Sequence, residues 1–156
     1  MMTLPNNIIN FFKGQGFVIL STIDQDGVPH SSCKDIIRIE EGGGIYLMDA
    51  YRARTFKNLQ NNQKANIVAV DEHKFKGYCL KGKAKMVESD KLGPEVLKAW
   101  EDKITSRATH RVLKNIRGEK GHALHPETQL PKPQYMIYLQ VEEIIDLTPH
   151  KLRQNQ

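Results

Sequence analysis

Arg52, Arg54 and Thr55 head a stretch, YRARTFKNLQNN at 51–62, whose residue types suit the binding of an anion. Phe56 and Leu59 are spaced i, i+3, so the stretch reads as a short helix with one apolar face. The amino-terminal end of a helix carries partial positive charge and favours acids in its first turn. Two arginines there oppose the dipole unless an anion sits between them. Free N–H groups, guanidinium forks and a hydroxyl together make a phosphate site. Taken alone, the stretch also admits a plainer reading, a solvated basic turn.

Three other groups carry chemistry-bearing side chains. His122 and His125 have a metal-like spacing, but no carboxylate or third ligand accompanies them and Pro126 follows, so a pair of loop residues is the simpler reading. Lys81, Lys83 and Lys85 form a basic stripe, either a solvated sheet face or a wall facing an anionic second substrate. Cys33 and Cys79 make no CxxC pair, and no metal site is expected. No general acid–base pair stands out.

The elements that would position these residues follow from periodicity. Leu4–Lys13 reads as a helix with Leu4, Ile8, Phe11 and Phe12 inward, ended by Gly14 and Gly16. Phe17–Ile23 is an apolar, β-branched run, a buried strand. Asp24–Gly27 is a hairpin turn and Val28–Ile39 the return strand, with Pro29 near its start. Glu40–Gly43 is a second turn and Gly44–Ala50 a third strand, which leads into the basic helix. Lys64–Asp71 is a fourth strand. Gly77–Val87 alternates cleanly, with Tyr78, Leu80, Gly82, Ala84 and Met86 on one face and Cys79, Lys81, Lys83 and Lys85 on the other. Gly82 marks a bulge or a close backbone approach. Pro94–Ile104 reads as an amphipathic helix with Val96, Leu97, Trp100 and Ile104 inward. Residues 105–133 read as an irregular excursion with a short helix near Thr109–Ile116. Tyr135–Val141, running on toward Ile145, is the last strand.

The 156 residues suit a single domain, 1–156, with ordinary hydrophobic content (39%) for a soluble chain. Net charge is +5 and pI about 9.2, which favours anionic partners without choosing among them. The first residues, MMTLPNNIINFF, lack the features of a secretory leader, and no apolar run is long enough to span a bilayer. The expectation is a cytoplasmic protein with reduced thiols and no membrane partner. The aromatics do not interleave with a basic face, which argues against nucleic acid. Hairpin-linked strands with one dry face predict a mainly β (α+β) fold, an antiparallel, closed or nearly closed barrel with flanking helices.

The order of these features resembles a known family. A buried strand, a D-x-D-G turn, Val28-Pro29-His30-Ser31-Ser32, a strand ending at Asp49, then Arg54-Thr55-Phe56-Lys57-Asn58-Leu59 and Gly77–Ala84 are similar to the pyridoxamine 5′-phosphate oxidase-like, FMN-binding split barrels. The resemblance covers roughly residues 17–87. It implies a six-stranded antiparallel Greek-key split β-barrel and a homodimer with FMN at the subunit interface. It implies that the FMN phosphate lies at the start of the basic helix, where Arg54 matches the family arginine and Asn58-Leu59 match. Thr55 replaces the usual lysine, and Arg52 or Lys57 would compensate. The flavin ring would lie along Ser31, Ser32, Cys33 and Lys34, with Met48 and Asp49 near the ribityl chain or the pyrimidine edge. Cys33 would then be either a redox-active thiol or a small buried hydrophobe.

The chain also departs from the family. It ends Val141-Glu142-Glu143-Ile144-Ile145-Asp146-Leu147-Thr148-Pro149 and a polar tail, without the Arg-x-His-Asp-Arg-like substrate motif of true pyridoxamine phosphate oxidases. A glutamine often found near the flavin in the fifth strand is Gly77 or Tyr78 here. The resemblance implies an FMN-dependent oxidoreductase that takes electrons from a small-molecule donor, a reduced nicotinamide or deazaflavin, and passes them to an acceptor. The cofactor would carry the reaction and the protein would position it. The rivals are a non-catalytic flavin carrier or sensor, a haem-handling protein of the same fold, and a basic nucleic-acid binder.

Overall fold

A computed structural model describes residues 2–116 and 133–153. Its elements are α1 (Asn6–Lys13), β1 (Val18–Ile23), β2 (Pro29–Ile39), β3 (Gly44–Met48), α2 (Arg54–Asn61), β4 (Lys64–Asp71), β5 (Lys76–Glu88), α3 (Pro94–Ile116), β6 (Tyr135–Asp146) and α4 (His150–Arg153), with a single 3₁₀ turn at Ser89–Lys91. The six strands pair antiparallel and close into a barrel in the order β1-β2-β3-β6-β5-β4. Two three-stranded meanders are thus joined along both edges, and the Greek-key jump from β3 to β4 carries α2.

Local chemistry fixes the turns. At the β1–β2 turn the Asp24 carboxylate accepts the N–H groups of Asp26 at 2.9 Å and Val28 at 2.8 Å. Gly27 takes φ +78° there, a left-handed value that side chains disfavour. The barrel interior is filled by Leu20, Ile45, Leu47, Ile67, Leu80, Ile137 and Leu139, all fully buried, with α1 adding Ile8, Ile9 and Phe12. Each such aliphatic side chain contributes about 1.5–3 kcal/mol when removed from water. A second core lies outside the barrel, where Leu92, together with Val96 and Trp100 of α3, packs on Ile37 and Met136.

The structure corrects the sequence reading at four points. α3 does not stop at Ile104 but runs unbroken to Ile116. Thr105, Ser106 and Thr109 are only weak helix formers, and the chain has no glycine or proline between Pro94 and Gly118 to end the helix. β3 ends at Met48, and the Asp49 side chain that follows enters a buried hydrogen-bond network with Lys34 and Tyr135. Phe17 precedes β1 and is 59% exposed. Cys79 points outward yet is buried, flanked in register by Val68 and Ile145.

Gly82 shows both features read from its sequence. The β5–β6 register slips between Lys81 and Gly82, so that Glu142 is the extra residue of a bulge. A Cβ on Gly82 would sit 1.8 Å from the Gln140 carbonyl oxygen. Residues 117–132, with His122 and His125, lie outside the described residues.

Candidate functional site at the head of α2

The chain leaves β3 and turns sharply into α2. Arg52 takes φ +45°, a strained value for a non-glycine residue. Its N–H donates to the Tyr135 hydroxyl at 3.1 Å. Its guanidinium lies 4.7 Å from the Tyr135 ring centroid and 4.9 Å from that of Phe56. The two rings meet edge to face at 5.3 Å, and Arg52 Nη2 donates to Glu88 at 3.3 Å. Arg52 is therefore already employed: stacked, hydrogen-bonded and charge-paired.

Arg54 is not. It is the first residue of α2, exposed, and Ala53 at the N-cap offers no side-chain acceptor. No acid stands in the first turn. Among the described residues Arg54 and Lys57 have no ion-pair partner within 4.0 Å. The helix therefore opens with backbone donors, a surplus of positive charge and no internal anion to meet them.

Beneath this opening the side chains are ordered by hydrogen bonds. Thr55 is buried, and its Oγ1 lies 3.1 Å from Ser32 Oγ on β2. Asn58, one turn on, donates from Nδ2 to Thr22 Oγ1 of β1 at 3.0 Å, which pins α2 to the barrel. Lys34, two residues beyond Ser32 on the same face, donates to Asp49 Oδ1 at 2.8 Å. Asp49 also accepts the Tyr135 hydroxyl at 2.5 Å on Oδ2. Burial and the hydrogen bond to Asp49 together hold the Tyr135 phenol well above its ordinary range.

The sequence-predicted residues thus divide. Ser32, Lys34, Asp49, Arg54, Thr55, Lys57 and Asn58 gather on or beside the α2–β2 junction. Strand alternation places Ser31 and Cys33 on the opposite, outward face of β2. Ser31 Oγ lies 3.0 Å from Ser21 Oγ, and Cys33 is exposed beside Ile19 rather than buried. Met48 packs under α3. Arg52 holds the turn. The lysine stripe also splits: Lys85 lies 5.8 Å from the Tyr138 ring centroid, whereas Lys81 and Lys83 face Asn66 and Lys64 of β4.

Nothing in the sequence marks Tyr135 or Glu88 as site residues, and Phe56 is marked there only as part of an apolar helix face. Tyr135 lies 86 positions from Asp49, and no local pattern announces such a contact. Among the described residues no cluster of three or more His, Cys, Asp or Glu side chains is placed to hold a metal ion, and no helix is long and apolar enough to cross a membrane.

Comparisons with solved structures agree with this fold. HupZ from Group A Streptococcus is 18% identical, with 93% of this chain and 95% of that one aligned at TM-score 0.62. A putative pyridoxamine 5′-phosphate oxidase from Lactobacillus delbrueckii is 18% identical over 92% and 93% of the two chains, with TM-score 0.62. HutZ, the haem storage protein of Vibrio cholerae, is 23% identical over 92% and 94%, with TM-score 0.56. A sequence search of curated proteins finds no match. The family model described as pyridoxamine 5′-phosphate oxidase matches residues 4–146, nearly the whole barrel with its helices, and the chain belongs to that family.

Proposed function

We propose that the chain is an FMN-binding flavoprotein that works as a homodimer and passes electrons from a reduced nicotinamide or deazaflavin donor to a second small molecule. The observation that carries this reading is the unanswered positive charge at the head of α2. A phosphomonoester has the charge and the acceptor oxygens to satisfy Arg54, Lys57, the free N–H groups of the first turn and the Thr55–Ser32 hydroxyl pair. The donor set therefore fits the phosphate of FMN.

FMN, when bound, supplies two-electron chemistry. The chain's residues bind it, orient it and limit water. Arg54 and Thr55 would fix the phosphate. Lys34, held by Asp49, would present a localised positive charge to the polar portion of the cofactor. Arg52, Tyr135 and Phe56 would keep the first turn of α2 in place. Pyridoxamine 5′-phosphate is not the proposed substrate, because residues 141–156 hold no Arg-x-His-Asp-Arg-like motif.

The test is an absorption spectrum of the purified protein followed by FMN titration. The expected result is a yellow protein that releases FMN on denaturation and rebinds one per chain. A colourless protein that takes up no FMN, or one carrying the Soret band of haem, would overturn the reading. NADH and NADPH oxidation with an added acceptor then separates an enzyme from a carrier that does not turn over.

A further inference from the structure

The second half of α3 has an unusual charge pattern. From Lys103 to Ile116 the sequence KITSRATHRVLKNI holds four Lys or Arg side chains and one His, with no acid. Like charges three and four residues apart on a helix repel one another. The helix dipole favours cations only in the last turn, whereas this run spans more than three. Asp35 answers two of them: Lys103 Nζ and Arg107 Nη1 each lie 2.6 Å from its carboxylate.

Beyond that clamp, Ser106, Arg107, His110, Arg111 and Lys114 line one wall of a groove of about 460 Å³, and Gly16 and Phe17 line the other. None of its described lining residues is acidic. Its volume falls within the usual range of about 300–1,000 Å³ for small-molecule sites. Phe17 is largely exposed, and nothing stands within 4 Å of where a Gly16 side chain would begin. A flat aromatic wall opposite a row of cations has the two features a nucleotide needs: a surface for the base to stack on and donors for its phosphates.

We propose that this groove binds a phosphate-bearing nucleotide, the adenylate portion of a nicotinamide dinucleotide, with His110 and Lys114 toward its phosphates and Phe17 against its base. The role rests on the flavoprotein reading. The binding itself does not depend on that reading.

Calorimetric titration of the FMN-loaded full chain with NADP⁺, and separately with inorganic pyrophosphate, tests the assignment. A His110→Gln/Lys114→Gln double variant alters only exposed side chains, and its melting temperature should match the wild type. It should weaken both probes at least tenfold. Phe17→Ala should weaken NADP⁺ several-fold and leave pyrophosphate unchanged. FMN affinity should hold in every variant; its loss in the double variant would assign these cations to the flavin and overturn the separate groove, whereas a wild type that takes up no FMN would fail the flavin reading alone. The proposal fails if NADP⁺ does not bind at millimolar concentration, or binds equally well to the double variant. It also fails if a single-stranded oligonucleotide or haemin binds more tightly than NADP⁺ and is lost in the same variants.

Discussion

Arg52 and Arg54 lie two residues apart, and their environments set their roles. Arg52 lies against two aromatic rings and is paired with Glu88, so its charge is spent within the fold. Arg54 faces outward with its charge unanswered. A hydrogen bond to a charged group contributes about 1.5–3 kcal/mol. Arg54→Ala should therefore weaken FMN about ten- to a hundred-and-fifty-fold, at about 1.4 kcal/mol per decade. Riboflavin, which lacks the phosphate, should bind the variant almost as well as it binds the wild type. Thr55→Ala should show the same selectivity with a smaller loss. Paired flavin titrations read the outcome, and equal losses for both ligands would make Arg54 a fold residue. Tyr135 acts on the other side of the turn. Tyr135→Phe removes its donation to Asp49 and its acceptance from the Arg52 N–H. The expected cost is about 1.5–3 kcal/mol in urea unfolding. Tyr135 also makes stability pH-dependent. Its folded pKa is raised, so above the ordinary tyrosine range the unfolded chain loses a proton that the folded chain keeps. Stability is intact below that range and falls as pH rises through it. Tyr46, Tyr78 and Tyr138 are raised in the same direction by burial. Tyr135→Phe should flatten the alkaline decline, and an unchanged slope would assign it to the other three tyrosines and to the Cys79 thiol, which burial also raises.

At the scale of elements, much of the barrel was legible because strands write their burial in alternation. Gly77–Val87 is the clearest case, and the β1–β2 turn was readable from Asp24 and Gly27. The site was legible where it is local: Arg54, Thr55 and Asn58 share one short helix, and their order carried the family resemblance. It was not legible where it depends on long-range pairing. Tyr135 and Glu88 come from β6 and β5 and meet Arg52 only once the barrel closes. α3 was misread because weak helix formers look like breaks in the absence of tertiary context, while packing on Ile37 and Met136 and the Asp35 clamp hold the helix in place. Gly82 is an element-scale prediction. Its missing side chain lets β5 close on the Gln140 carbonyl at the bulge, and the clashing atom is backbone, which cannot swing aside. Gly82→Ala should lower the urea midpoint by the equivalent of about 3 kcal/mol or more, at the upper end of overpacking costs. A variant with wild-type stability would show that the two strands can separate there at little cost.

For the whole molecule, the outward face of the barrel poses the question of assembly. Ile19 is 39% exposed and Val70 65%, and they share that face with Val68 and the exposed Cys33. An apolar, half-open sheet face suits a second copy better than water. Cys33 lies on β2 between Ser32 and Lys34 of the candidate flavin site, so a partner on this face would cover the back of the strand that carries the site. Light scattering should give about twice the 17.8 kDa chain mass. Ile19→Lys places a charge at the centre of this face on a side chain already partly open to water, so the monomer should keep its fold. The variant should run at half the wild-type mass, with an unchanged circular dichroism spectrum. If FMN is bound between subunits, its affinity should fall at least tenfold in Ile19→Lys. Lys91→Gln, a charge change in the turn after β5, should leave mass and affinity alone. A wild type that is a clean monomer and still binds FMN at full occupancy would sink the shared-site arrangement. A monomeric Ile19→Lys that keeps full FMN affinity would show that one barrel alone holds the cofactor.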